Sequence, residues 1–284
     1  MSGKSLRLGC HLSAAKGYLA MGEAAVSIGA DTFQFFTRNP RGGSARAENA
    51  EDAAALSAYA QAHALSGMVA HAPYTLNLCS AREEIRDYSL RTMADDLRRL
   101  QPVPCRLYNL HPGSHTGQGM ETGIRQITEG LEQLLPQAGR VTILLESMAG
   151  KGSEVGGSLE ALAQILRSLG NPPQLGVCLD TCHLWDAGYD LTVPDAVWES
   201  VERTVGTERV KAIHVNDSQN VCGSHRDRHA RLGEGRIGEE TLMRFLKPAV
   251  KRNLPMILET PNELPGYAEE IRRMRRALGK ETMV

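Results

Sequence analysis

The chain reads as one (β/α)8 barrel. Three observations carry that reading: eight short apolar runs, helical segments between them, and no Pro/Gly/Ser-rich linker to divide the 284 residues. A barrel of this class routinely reaches such a length as a single unit, so the chain is expected to form one domain over residues 1–284. A doubly wound open sheet is the runner-up.

In chain order, "LRLGCHLS" (6–13) and "DTFQFF" (31–36) open the series as strands rich in aliphatic and aromatic residues. "AEDAAALSAYAQAHAL" (50–65) has the Ala and Leu content and spacing of a helix and leads into the strand "GMVAHAP" (67–73). The helix "IRDYSLRTMADDLRRL" (85–100) precedes the strand "RLYNLHPG" (106–113), and "GIRQITEGLEQLLP" (123–136) precedes "VTILLES" (141–147). "GSLEALAQILRSLG" (157–170) is the next helix, followed by the strands "LGVCLDT" (175–181) and "VKAIHVND" (210–217). "GEETLMRFLKPAV" (238–250) is helical, "MILETP" (256–261) is the eighth strand, and "RRMRR" (272–276) reads as the solvated basic face of a last helix. The third to seventh runs start about 35 residues apart, a β/α unit, and their near-continuous apolarity suits strands covered on both faces.

Charged residues make up 23% and the formal net charge is −1, so no bulk basic excess announces a nucleic acid and any anionic partner must be met locally. No stretch is apolar enough for a membrane span, and the six cysteines (Cys10, Cys79, Cys105, Cys178, Cys182, Cys222) are scattered. A reduced, cytoplasmic enzyme is expected. Cys178 and Cys182 in "CLDTCH" lack a second cysteine pair and read as small buried residues.

In a barrel the active site is built where the strands end. The six runs from the third to the eighth close on His71, His111, Glu146, Asp180, His214 and Glu259. One such residue would be an ordinary core or capping residue, but six on one rim call for compensation by metal. "DTCH" adds His183, and "DRH" adds Asp227 and His229 at a spacing that points both side chains one way in extended chain. Five histidines and four carboxylates exceed what one ion can use and favour zinc or another late first-row metal. His63 reads as structural; His11 and His115 stay open between supporting donors and structural residues, and His225 between phosphate, solvent and metal. The run "HVNDSQNVCGSHRDRHARLGEG" (214–235) has too little periodicity for helix or strand.

With "HLSAAKGYLAM", "FQFFTRNPR", "HAPYTLNL", "NLHPGSH", "LLESMAGKGSEVG", "GVCLDTCHLWDAGYD", "HVNDSQ", "GSHRDRHARLGEGRIG" and "LETP", the chain resembles endonuclease IV over nearly its whole length. That family comprises zinc-dependent apurinic/apyrimidinic (AP) endonucleases among the xylose-isomerase-like barrels. The resemblance implies three zinc ions, with manganese or iron as substitutes: one on His71, His111 and Glu146, one on Glu146, Asp180, His214 and Glu259, and one on His183, Asp227 and His229. It implies Glu146, Glu259 and His111 as catalytic residues. The substrate it implies is duplex DNA with abasic or 3′-blocked lesions, cut 5′ to the abasic site to leave a 3′-hydroxyl and a 5′-deoxyribose phosphate, with 3′-end trimming.

Arg41 and Tyr74 match residues that enter the duplex in that family, Arg38 beside them is expected to contact the DNA as well, and Arg226, Arg228, Arg231 and Arg236 are expected to offer guanidinium groups to phosphates. Ser147 and Met148 stand where the family has Asn-Thr, and Gly42 and Gly43 where it often has Gln-Trp. The alternative in the same barrel class is a sugar isomerase or epimerase with a single metal. A monomer without membrane association is expected.

Overall fold

Each apolar run becomes a strand because its side chains have two apolar environments to enter, the barrel interior and the helical jacket. In the computed structural model, which describes residues 6–41, 43, 45 and 47–279, the strands and helices alternate from the start. They are β1 (Arg7–His11), α1 (Tyr18–Ser27), β2 (Thr32–Phe36), α2 (Ala50–Ala62), β3 (Val69–His71), α3 (Glu83–Leu100), β4 (Leu107–Leu110), α4 (Met120–Leu134), β5 (Thr142–Glu146) and α5 (Leu159–Ser168). Then follow β6 (Leu175–Asp180), α6 (Thr181–Ala187), α7 (Pro194–Thr204), β7 (Val210–Val215), the two-residue strands β8 (Asp217–Ser218) and β9 (His229–Ala230), α8 (Glu239–Lys251), β10 (Pro255–Leu258) and α9 (Leu264–Gly279). Eight strands close a parallel barrel in the order β1-β10-β7-β6-β5-β4-β3-β2, with β2 back on β1. The expected (β/α)8 barrel is the fold.

Alternate residues of each strand face outward, where Leu8, Phe33, Phe35, Tyr108, Ile143, Leu145, Val177, Ile213 and Leu258 are buried under the helices. Each large apolar side chain so buried contributes about 1.5–3 kcal/mol. The inward residues Val69, Leu144, Cys178, Ala212 and Ile257, with Leu107 against them, form a separate apolar plug. Two residues further along six of the strands, about 6.6 Å higher, the inward set turns polar: His71, Asn109, Glu146, Asp180, His214 and Glu259. His11 on β1 and Gln34 on β2 share a register position and complete the layer. The plug shuts water out from below, so the polar layer is reached only from the mouth. Beneath His11 and Gln34, Gly9 is required, because a Cβ there would collide with the Thr32 carbonyl of the paired strand.

The run 214–235 is not wholly irregular: it finishes β7 and supplies the antiparallel β8–β9 hairpin, whose strands are too short to show a period. In the basic run on α9, Arg272 and Arg276 are exposed as expected, but the other two arginines are engaged. Arg273 pairs with Glu239 and donates to the Leu232 carbonyl at 3.0 Å, and Arg275 reaches Asp31 at 2.7 Å, tying the last helix to both ends of the barrel. Among the described residues no helix is long and apolar enough to cross a membrane.

Candidate metal centre

Glu146 ends β5 at the middle of the polar layer, and its side chain is 1% exposed. One carboxylate oxygen lies 3.2 Å from His71 Nε2 and 3.4 Å from His111 Nε2; the other lies 3.0 Å from His214 Nδ1 and 3.4 Å from His183 Nδ1. His214 Nδ1 is also 3.3 Å from Glu259 and 3.8 Å from Asp180. On the outer side His183 Nε2 stands 3.1 Å from Asp227, and His229 Nε2 stands 3.4 Å from Asp227 and 3.8 Å from Asp180. The structure thus brings together all nine residues singled out in the sequence. Their donor atoms fall into sets within 4.8 Å of one another: His71–His111–Glu146, Glu146–Asp180–His214–Glu259 and Asp180–His183–His229, with Asp227 and His229 also within reach of Cys182.

Local structure explains how residues distant in sequence converge. Asp180 is the last residue of β6 and the N-cap of α6, accepting from His183 N at 2.9 Å, so one carboxylate both joins the layer and starts the helix that presents His183. The long 217–238 loop is shaped by two buried carboxylates. Asp186 accepts from Asp227 N at 2.8 Å and Ser218 Oγ at 2.7 Å, holding Asp227 at φ 56°. Asp217 accepts from the backbone amides of Ser218, Gly233, Gly235, Ile237 and Gly238. Asp217→Ala is expected to lower stability by at least about 3 kcal/mol, since stranded buried amides cost roughly 1–3 kcal/mol each. Urea unfolding measures it, and a loss below about 1 kcal/mol would mean the loop takes its shape from elsewhere.

The electrostatics fit a cation. His229 Nε2 is buried and has no hydrogen-bond partner, although carboxylate oxygens face it. Such an atom calls for a proton or a metal ion. Burial acts to raise the Glu146 carboxyl, yet the imidazoles of His214 and His111 hold it well below the ordinary range. Glu259 is likewise pushed up by burial and brought well below by His214 and His11. Burial opposes charge on His183, but Asp180, Asp227 and Glu146 raise it well above the usual histidine value. His214 is raised in the same way by Cys178, Glu259 and Glu146. Asp227, despite burial, is drawn down to about 2 by His183. Each carboxylate so described is lowered by neighbouring imidazoles, a role that a divalent ion would take over.

Hydrogen bonds orient most of the nine. His71 Nδ1 meets the Ala72 carbonyl at 2.6 Å and His183 Nδ1 the Ser147 carbonyl at 2.8 Å. Ser147 Oγ accepts from Asp180 N at 2.9 Å, and Met148 is buried. Asn109 donates to Glu146 at 2.5 Å, Asn216 donates to Asp180 at 2.7 Å, and Gln34 contacts Glu259 and His214. Sequence reasoning missed these three amides. Their signal was register: Asn109 precedes His111 by two residues, Asn216 follows His214 by two, and Gln34 takes the inward position of "TFQFF".

Other singled-out residues separate. His11 lies in the mouth against Phe36, with ring centroids 4.3 Å apart. His115 is structural, accepting from Gly119 N at 3.1 Å, and His63 stacks on Tyr59 at the end of α2. His225 meets the Ala149 carbonyl at 2.9 Å and so ties two mouth loops together, rather than joining a donor set. Cys178 belongs to the apolar plug, and burial raises the Cys182 thiol, with Asp180 adding to it.

Around the rim, Tyr74 is 48% exposed and edge-on to Phe36, and Arg41, Arg226, Arg228, Arg231 and Arg236 are exposed. Arg38 departs from its expected position. Its side chain is 8% exposed and turned inward onto Asp96 at 2.5 Å and Asp95 at 2.9 Å, so its guanidinium is committed to α3 and not offered to a phosphate. Gly43 is at φ 119° with open space where a side chain would start, and Gly42 lies outside the described residues.

Residues 23–277 match the family model of the xylose isomerase-like TIM barrel. The chain is 47% identical over 280 residues to "Probable endonuclease 4" of Alkaliphilus oremlandii (strain OhILAs), covering 98% of this chain and 100% of that one. It is 48% identical over 271 residues to the protein of the same description from Clostridium beijerinckii, covering 95% and 98%. Among solved structures it is similar to endonuclease IV from Thermus thermophilus, with a TM-score of 0.86 and 36% identity across 96% of this chain and 99% of that one.

Proposed function

The chain belongs to the endonuclease IV family of xylose isomerase-like TIM barrels, and from that premise we propose that it is a DNA-repair AP endonuclease working with three zinc ions. It would cut the phosphodiester 5′ to an abasic site in duplex DNA and trim blocked 3′ ends. The observation that supports this reading best is the arrangement of imidazoles on both oxygens of Glu146, which lets one carboxylate serve two neighbouring donor sets.

His71, His111 and Glu146 would hold one ion, Glu146, Asp180, His214 and Glu259 a second, and His183, Asp227 and His229 a third, with Asp180 in reach of the last set. Bound zinc supplies acidity to water and countercharge to the phosphate and the leaving oxygen. The chain's own residues do the rest. The plug beneath excludes bulk water, and the amides of Asn109 and Asn216 keep the carboxylates Glu146 and Asp180 aimed. Exposed Arg41, Arg226, Arg228 and Arg231 reach for phosphates beside the mouth. Tyr74 stands at the lip, where a missing base lowers the cost of opening the duplex. A monomer acting in the cytoplasm completes the proposal.

The test is incision of an end-labelled duplex with one tetrahydrofuran abasic analogue, with EDTA present, since the analogue blocks β-elimination and EDTA silences magnesium nucleases. Cleavage directly 5′ to the analogue is expected. No cleavage by protein carrying about three zinc ions would sink the proposal, and a single ion per chain would favour sugar isomerase chemistry.

A further inference from the structure

Between the buried Phe33 and Phe35, β2 carries one polar side chain, Gln34, which is fully buried inside the barrel. Its amide meets three groups of the mouth. Oε1 lies 2.7 Å from His214 Nε2, while Nε2 lies 2.5 Å from Glu259 Oε1 and 3.1 Å from His11 Nδ1.

Glu259 decides which way round the amide sits. An ionised carboxylate only accepts, so the NH2 end must face it; the reverse orientation would press two oxygens together at the same 2.5 Å. Oε1 then faces His214 and can only accept, which requires the ring proton on Nε2. The other nitrogen of His214, Nδ1, is the one aimed at Glu146, 3.0 Å away, and Glu259, 3.3 Å away. The second amide proton faces His11 Nδ1, 3.1 Å away, a nitrogen that also lies 3.7 Å from Glu259. One neutral side chain therefore sets the ring tautomer of His214 and one carboxylate orientation.

We infer that Gln34 is a positioning residue of the centre: it selects Nδ1 of His214 as the donor to metal and holds Glu259 at the angle the same ion needs. The inference rests on the metal-centre reading above. An amide suits the place because it must donate on one side and accept on the other, which neither a carboxylate nor an apolar residue can do.

Two variants of the full chain test it. Gln34→Met keeps the length and removes all three hydrogen bonds; Gln34→Glu keeps an acceptor toward His214 and sets a second carboxylate against Glu259. Zinc retention in competition with a chelator is expected to fall about 10–100-fold for one equivalent in Gln34→Met, with the remaining zinc held as in the wild type. In ¹⁵N-histidine-labelled protein the slowly exchanging Nε2–H of His214 is expected to vanish in Gln34→Met and to persist in Gln34→Glu, which still loosens the same ion. A merely structural role would move neither signal, and urea unfolding of the metal-free proteins separates misfolding from both. Unchanged zinc retention and an unchanged His214 proton in Gln34→Met would overturn the inference. If the wild type retains no zinc, the metal-centre reading falls and the inference with it, whereas zinc held equally well by the wild type and Gln34→Met overturns the inference alone.

Discussion

Glu146→Gln is expected to lower incision by at least about 10³-fold, the scale on which an electrostatic element of a reaction centre counts, while the barrel stays folded. The carboxylate faces four imidazoles, two on each oxygen. An amide of the same shape keeps one acceptor and places an NH2 where the other was. Asn109 already donates to Oε2 at 2.5 Å, so the new NH2 turns toward His214 and His183, repelling any cation they hold. The variant should therefore lose metal as well as rate. Incision of the abasic analogue and zinc per chain, measured on the same preparation, check it. Full activity with full metal content would remove Glu146 from the centre.

Stripping the metal should abolish incision and reverse the pH dependence of stability. In the metal-free protein His183 and His214 have folded values raised by surrounding carboxylates. A raised histidine contributes stability that is fully present below its unfolded value near 6.5 and is lost as pH rises through its folded value. Glu146, Glu259 and Asp227 are depressed, so their contribution is present above the unfolded carboxylate values near 4 and is lost only as pH falls through the folded ones, about 2 for Asp227. The stripped protein is thus best held between about pH 4.5 and 6.5 and weakens above it.

The loaded protein behaves oppositely there, because the imidazoles must give up protons to bind metal. With each ion at a hundred times its dissociation constant, three contribute on the order of 8 kcal/mol, a gap of roughly 15 °C or more in Tm. Thermal melts of loaded and stripped protein at pH 6 and pH 9 should show the gap widening at the higher pH. A constant gap, or incision surviving in stripped protein, would count against metal occupancy of these residues.

The centre was legible in the sequence where one strand's own alternation carried the information. Val69 to His71, Leu144 to Glu146 and Ile257 to Glu259 each step two residues along one inward face, from plug to polar layer, and that step can be read without partners. Asp217 escaped notice because it looks like any polar residue after a strand; only the return of residues 233–238 onto it reveals five amides in need of an acceptor. Arg38 was misread for the same reason. The acids that draw it inward, Asp95 and Asp96, lie 57 and 58 residues away on α3.

By itself, then, the amino-acid order determined the eight strands, the jacket of helices and the identity of nine converging residues, because these follow from periodicity or short spacing within single segments. Only the tertiary structure decided how the donors are shared around Glu146, which amides aim them, and which rim arginine is spent on an internal ion pair. Closing the barrel sets the distances between strands that never meet in sequence, and an electrostatic interaction depends on that distance rather than on separation along the chain.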